Sequence, residues 1–551
     1  MEQSTQLQDS EQNELAPVRE SASPVEFGFA ALALALFVLW IYAFHNWGTL
    51  GEDDLYRVLD GLLDGALTGQ GIASPLHYGK VFSFGYIAAF YALAAQSTLT
   101  HAQPLITLIN SVGFWATVLG SIFFWLAVRV LYGVRAATIA FLLFAFSPMM
   151  LDVGTSGHQI LVAFAFFSAA AVLLFLPVNG WLALACQTLA ALLLLAALVS
   201  RAEILLAWPF LVLARVDLRS IGAFLLSALR RSMAPVLSLA AFFVSRALYL
   251  SHGRGALGPQ GSFSDIGFSL ATVPRGLVSY LIGCGILTAI AGLVAAARLI
   301  RTAAAVAPNS EIRLARLSDV IGPLSLVLPA MVFWMTNGLP PRHFILSFIG
   351  LAMLIGLALT RFATVRTSYF LAVGIVLANQ AAGTLTGPFI LKHYPTKILT
   401  VPGQQPLMPR VPLGSSLGFH ESAQAARLRT DAFAERLLGA CDAKTIVFSE
   451  REPQIVAHLY EGNRPWRVEE QLWRRFPLFI AQDRNVSFMV VSPHEGWPQD
   501  VVGEMLADPA FNEYKLVRDP DTISIYDKTP IPENRAARFG CVSLLAEFQA
   551  R

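Results

Sequence analysis

Three carboxylates stand in a row at Glu52-Asp53-Asp54, directly behind the first hydrophobic segment, Phe27–Trp47. At a membrane edge each must stay hydrated or find a partner. A carboxylate so placed can take the proton of an incoming hydroxyl. A group of them can also hold a hard divalent cation, Mg or Mn, through oxygen ligands. Cationic residues recur in the later polar stretches His77-Tyr78-Gly79-Lys80, Ser200-Arg201-Ala202-Glu203 and Leu339-Pro340-Pro341-Arg342-His343-Phe344. Asp152 and His158 follow Ser147-Pro148 between two apolar runs. Lys suits a phosphate as a point charge, and Arg suits it through a bidentate fork. Acids with phosphate-binding cations beside lipid are what transfer from a lipid-linked phosphosugar needs. Plainer roles exist for each group. Asp53 and Asp54 could be solvated carboxylates at a helix start. Lys80 could be a snorkelling anchor. Arg201 and Glu203 could pair with each other or cap a helix end, Arg342 could be a loop residue, and a lone histidine such as His158 is more often structural.

The elements that would position these groups are membrane helices. The chain is 55% hydrophobic and 14% charged, with net charge +2, so no bulk electrostatics point to nucleic acid. Its mean hydropathy is +0.57. Residues 1–26 are polar and read as a disordered tail without the basic start of a signal peptide, which makes the first apolar segment a retained anchor. Behind it, Leu55, Val58, Leu59, Leu62, Leu63, Ala66 and Leu67 recur at helical spacing, with Asp53, Arg57, Asp60 and Asp64 on the other side. This pattern predicts a helix in the interface plane. Further apolar segments run over Val81–Gln96, Pro104–Leu131, Ala136–Met150, Ile160–Leu176, Trp181–Val199, Ala202–Ala214, Met233–Leu250, Gly276–Ala296, Val320–Thr336, Phe344–Thr360 and Tyr369–Ile390.

Arginines fix the expected orientation. Arg129/Arg135, Arg215/Arg219/Arg230/Arg231, Arg298/Arg301/Arg313/Arg316 and Arg361/Arg366 mark four basic connections, all expected to be cytoplasmic. A cytoplasmic N-terminus and an exported C-terminus then require one segment not to span. The segment chosen is Val81–Gln96, which is short and flanked by His77, Lys80 and His101. It is read as a membrane-dipping part of a catalytic first external loop, 48–103, which leaves eleven crossings. Ala136–Met150 and Ala202–Ala214 are near the lower length limit for a span. The outer face then gathers Glu52, Asp53, Asp54, His77, Tyr78, Lys80, Asp152, His158, Arg201, Glu203, Arg342 and His343.

Composition changes after the membrane part, 27–390. Residues 391–418 read as a linker and 419–551 as a small exported α/β domain. Strands are expected at Thr445–Phe448, Val486–Val491, Tyr514–Val517 and Thr522–Tyr526, the last two forming a hairpin around Asp519-Pro520-Asp521. Helices are expected at Ser422–Leu438 and Asp500–Leu506. Cys441 and Cys541 could pair if this part is exported, while Cys186 and Cys284 read as core residues.

The chain resembles the GT-C superfamily of integral membrane glycosyltransferases, in particular the protein-mannosyltransferase and aminoarabinose-transferase branches. The resemblance rests on Glu52-Asp53-Asp54 with its amphipathic helix, His77-Tyr78-Gly79-Lys80, Ser147-Pro148 with Asp152, Arg201-Ala202-Glu203 and Arg342-His343-Phe344. It implies a polytopic α-helical GT-C-like fold and a hexosyl- or pentosyltransferase. Such an enzyme takes a sugar from a polyprenyl-phosphate donor to a glycan, lipid or protein acceptor hydroxyl on the outer face. By analogy Asp53 is the first choice of base, with Asp54 and Glu52 as alternatives. Lys80, Arg201 and Arg342 would bind donor phosphate. His77, Tyr78, Asp152, His158, Glu203 and His343 would line the substrate site. No cofactor is expected; a divalent cation, Mg or Mn, is possible, and metal dependence is left open with none favoured. A bacterial inner membrane with a periplasmic C-terminal domain is the expected location. The competing class is a transporter or flippase of a lipid-linked glycan, which would want charges in mid-span and repeat-related halves.

Overall fold

The structure, a computed structural model, describes residues 23–45, 102–251, 270–306, 311–336 and 341–393, with four strands between 445 and 527. The chain divides into two compact units, Met1–His45 with Val112–Phe419, and Asn46–Ser111 with His420–Arg551.

The first unit is a helical bundle. Helix α1, Pro24–Phe44, opens with a capping box: Glu26 N–H donates to Ser23 Oγ at 3.3 Å and Ser23 N–H to Glu26 Oε2 at 3.0 Å. The other Glu26 oxygen accepts from Arg135 Nε at 3.1 Å. Helix α2, Ala102–Ala145, joins the expected segments Pro104–Leu131 and Ala136–Met150 across Gly133, whose φ is +88°. Phe124 and Phe144 have ring centroids 5.2 Å apart. A straight helix would separate them by about 30 Å, so the chain doubles back at Gly133 into a hairpin. Trp125 Nε1 donates to Thr138 Oγ1 across it at 3.2 Å.

Helix α3, Pro148–Ser156, is a separate short helix, so the segment expected to run to Met150 stops at Ala145. The reason is local. Ser147 Oγ caps the new start by accepting from Met150 N–H, and Pro148 cannot continue a helix from behind. After Gly157, α4 (Gln159–Phe175) leaves at 110° to α3. Helix α5, Gly180–Ser200, packs back along α4. A 3-10 turn, Ala202–Ala207, then leads into α6, Trp208–Leu213. The higher rise of 3-10 geometry carries these twelve residues about 21 Å. That length takes the chain from Glu203 at one end of the bundle to Arg215 at the other.

Helix α7, Ile221–Ser251, packs on α5. The expected single segment Gly276–Ala296 is instead two helices, α8 (Val273–Cys284) and α9 (Ile286–Ala304), broken at Gly285. Asn379 fills the break: its Oδ1 accepts from Leu287 N–H at 3.1 Å and its Nδ2 donates to Thr288 Oγ1 at 2.8 Å. Helices α10 (Glu311–Met335) and α11 (Ile345–Phe362) pack together, and α12 (Val365–His393) closes the unit.

The four arginine-bearing connections meet at one end. Asp319 on α10 accepts from Arg215 Nε at 3.2 Å and from Arg361. Its carbonyl accepts from the Tyr132 hydroxyl at 3.3 Å. Arg298 lies over the Phe362 ring, 4.4 Å from its centroid. Helix α11, with 18 residues or about 27 Å of length, runs from this end to His343. Among the described residues seven helices are long and apolar enough to cross a bilayer, with the α2 hairpin taken as one, or eight if the bent pair α3–α4 counts. Their outward faces are apolar, with Trp181, Leu184, Leu192, Leu229 and Leu293 exposed. The protein is a multi-pass integral membrane protein.

In the second unit four strands form one sheet, β1 (Thr445–Phe448), β2 (Phe488–Val491), β3 (Lys515–Arg518) and β4 (Ser524–Asp527), in the order β1-β2-β4-β3. β1 is parallel to β2, pairing Thr445 with Phe488. β3 and β4 are antiparallel, as a hairpin requires, with Leu516 opposite Tyr526. Each strand lies within two residues of its expected position. The helices expected at Ser422–Leu438 and Asp500–Leu506, and Cys441 and Cys541, lie outside the described residues.

Candidate functional site

At the end opposite the arginine cluster, two 3-10 turns and two helix ends converge. The α5 C-terminus delivers Arg201, the turn Ala202–Ala207 delivers Glu203, the turn Pro341–Phe344 delivers His343, and the α4 N-terminus delivers His158. Arg201 leaves α5 in extended conformation, φ −154°, its N–H still bonded to Ala197 O at 2.8 Å. That turn places Glu203 against the second 3-10 element. Glu203 Oε1 lies 3.0 Å from His343 Nδ1, the two side chains being 15% and 13% exposed. Arg201, His343 and His158 lie within electrostatic range of the Glu203 carboxylate. Arg201 and His158 are buried. Sequence reading left open whether Arg201 and Glu203 pair with each other. In the fold Glu203 hydrogen-bonds His343 and shares its charge with Arg201.

His343 sits on a rigid support. Phe344, the next residue, is fully buried, with its ring edge-on to Tyr280 at 5.4 Å and stacked with Phe348 at 6.4 Å. Tyr280 in turn hydrogen-bonds Ser347 at 2.9 Å. His158 has a structural task. Its Nδ1 accepts from Ile160 N–H at 3.1 Å and so caps α4.

Asp152 lies on α3 and Arg342 on the Pro341–Phe344 turn, both packed at this end by their backbones. Glu52, Asp53, Asp54, His77, Tyr78 and Lys80 lie outside the described residues. Among the described residues no three His, Cys, Asp or Glu side chains stand together as a metal site.

Sequence reasoning passed over His45. It ends α1, is buried, and places Nδ1 3.4 Å from Gly154 O, with its ring edge-on to Phe114 at 5.9 Å. It rests against Gly157, whose φ of +67° and lack of Cβ permit the contact. A Cβ on Gly113 would stand 2.8 Å from Gly157 Cα. The end of α1 is thereby fixed beside the turn that carries His158, seven residues before Glu52. The available signal was a histidine closing an apolar segment just before an acidic run.

No family model matches the chain, and no curated protein matches it. Solved structures do. ArnT from Cupriavidus metallidurans in the apo state matches with TM-score 0.56 at 13% identity, over 91% of this chain and 98% of that one. The same protein bound to undecaprenyl phosphate matches with TM-score 0.52 at 13% identity, over 92% and 98%. The oligosaccharyltransferase of Archaeoglobus fulgidus gives TM-score 0.47 at 12% identity, over 84% and 69%. The likeness to ArnT extends over nearly the full length of both chains, and this protein has a GT-C-like membrane fold.

Proposed function

We propose that this protein is a membrane glycosyltransferase that moves a sugar from a polyprenyl-phosphate donor to an acceptor hydroxyl. The observation that carries the reading is the buried Arg201 beside the part-buried Glu203–His343 pair at one end of a bundle folded like ArnT, a protein crystallised with undecaprenyl phosphate. An arginine at the head of a membrane helix bundle suits a lipid phosphate whose tail stays in the bilayer. In this reading Arg201, Arg342 and Lys80 hold the donor phosphate. Glu203, His343, Asp152, His77 and Tyr78 line the sugar and acceptor site. Asp53 takes the acceptor's proton, with Asp54 and Glu52 next in order. The reaction is read as needing no cofactor, and a divalent cation, if one takes part, would suit the oxygens of Glu52, Asp53 and Asp54. Eleven crossings with the site end outward, and an exported C-terminal domain in a bacterial inner membrane, complete the proposal. His158 is given the role of a helix cap beside the site.

The test is release of polyprenyl phosphate. Purified protein is incubated with a panel of polyprenyl-phosphate sugars and envelope acceptors, and wild type is compared with Asp53→Asn. Release that depends on one sugar and falls at least 100-fold in the folded variant is expected, in keeping with loss of a general base. Donor movement across a bilayer without release would turn the reading into the transporter.

A further inference from the structure

The Glu203–His343 pair carries a step that positioning of phosphate alone does not explain. A carboxylate facing Nδ1 sets the tautomer of an imidazole and stabilises the imidazolium form. With Nδ1 committed to Glu203 at 3.0 Å, any proton that His343 exchanges with a substrate passes through Nε2. The pair is largely removed from water and held by a locked support, the buried Phe344 on one side and the turn after Arg201 on the other. Such preorganisation is what acid–base chemistry needs and a surface ion pair lacks. Arginines flank both members in sequence, Arg201 two residues before Glu203 and Arg342 directly before His343. An anion drawn to Arg201, whose charge reaches the Glu203 carboxylate, comes close to the pair.

We infer that His343, oriented by Glu203, is the general acid that protonates the departing polyprenyl phosphate. The inference rests on the proposed transfer reaction. In that step the bond between sugar C1 and the phosphate oxygen breaks, and its electron pair stays on that oxygen. The oxygen takes the Nε2 proton of His343. The acceptor hydroxyl oxygen bonds to C1, and its proton goes to the carboxylate of the first loop. Proton exchange with solvent restores both groups, so the net products are the glycoside and polyprenyl phosphate. Acid and base are then separate residues, each matched to the charge it meets: a carboxylate for the proton of a neutral hydroxyl, an imidazolium for a developing phosphate charge.

Charged and titratable residues belong to several of the elements packed at this end. Glu203 faces His343 directly. Arg201 and His158 act through the same carboxylate. α8, packed on the turn, carries Arg275 and Tyr280, and α3 carries Asp152. The last turn of α10 carries no basic residue.

The experiment uses the full-length chain with the polyprenyl-phosphate sugar on which wild type acts. Turnover and KM are measured against pH for wild type, His343→Gln, His343→Ala and Glu203→Gln, each first shown to be folded and monodisperse. Wild-type kcat should fall as pH rises and the acid loses its proton. His343→Gln should lose roughly 100-fold or more of kcat, keep donor KM within a few-fold, and lose the alkaline limb. Added imidazole should restore part of the His343→Ala rate, which a merely structural role would not allow. Glu203→Gln should shift the alkaline limb to lower pH. A His343→Gln enzyme with wild-type kcat and limb, or one whose loss lies in KM alone, would overturn the acid. A wild type silent on every donor would overturn the transfer reaction and the acid with it, and is told apart because no variant is then needed.

Discussion

His158 and His343 use the same ring nitrogen in opposite senses. His158 Nδ1 accepts the Ile160 N–H, so it carries no proton there, whereas His343 Nδ1 faces the Glu203 carboxylate and donates. The first is packing and the second is electrostatics, although both side chains stand at one end of the bundle. His158→Ala should cost about 1 kcal/mol in reversible denaturation, the usual worth of an N-cap, and His158→Asn should recover most of it because Asn caps well. Glu203→Ala is a different loss. It removes the counter-charge shared by the buried Arg201 and by His343. Breaking such a pair from one side costs about 3 kcal/mol. Thermal melting in detergent should therefore order the variants as wild type, His158→Asn, His158→Ala, Glu203→Ala. If Glu203→Ala melts with wild type, the pair contributes no stability and its burial is incidental. Sequence reading singled out Arg201, Glu203 and His343 because charges at span edges are rare. It had no means of saying which of the three meet, since 140 residues separate Glu203 from His343.

The elements divide into those periodicity reveals and those it hides. A run of apolar residues marks α5 or α11 within a few positions, because their burial is continuous. It does not mark the break between α8 and α9, since Gly285 in an apolar run looks like any small residue. The polar partner that makes the break tolerable, Asn379, lies 94 positions later on α12. Backbone groups freed at a break inside a membrane must be met by other protein groups, and Asn379 meets the Leu287 N–H. Gly285 has φ +85°, and a Cβ there would stand 2.5 Å from Asn379 Cγ. Gly285→Ala should thus be destabilising by roughly 2–4 kcal/mol, from backbone strain and overpacking together. Asn379→Ala should cost about 1–3 kcal/mol through the orphaned N–H. The two effects should not add. Asn379→Ala removes the atoms that the Gly285 methyl would strike, so the double variant should be less destabilised than the sum by at least 0.5 kcal/mol. Strict additivity would mean that the clash relaxes elsewhere. The same logic explains why Ser147-Pro148, read as the tail of a span, is the start of α3. Capping chemistry outranked the apolar run.

At the scale of the molecule the bundle has two unlike ends. Arg215, Arg361 and Tyr132 converge on Asp319 at one, and Arg201, Glu203 and His343 meet at the other, with α11 running between them. The sequence displayed the first end as four arginine-bearing connections. It did not display Asp319 as their meeting point, because one aspartate inside a helix carries no pattern of its own. Positive charge in connecting loops is retained on the cytoplasmic side, so the arginine end should face the cytoplasm and the candidate site the opposite compartment. Two exposed positions test this. Asn179, before α5, lies at the arginine end, since α4 starts at the site and runs away from it. Leu270 is exposed beside Thr272, whose hydroxyl donates to Met335 O at 3.2 Å at the site end of α10. With Cys186, Cys284, Cys441 and Cys541 changed to serine, Asn179→Cys should react with a membrane-impermeant maleimide only in inverted vesicles. Leu270→Cys should react only in right-side-out vesicles. Restoring Cys441 alone should give the Leu270 pattern if the C-terminal domain is exported. Reversal of the first two would place the Glu203–His343 pair toward the cytoplasm. The donor would then be a lipid-linked sugar used on the side where it is made, and export of the sheet domain would have to be abandoned with it. Labelling of both positions from one side would be harder on the fold, because the 27 Å of α11 would then not be crossing the bilayer.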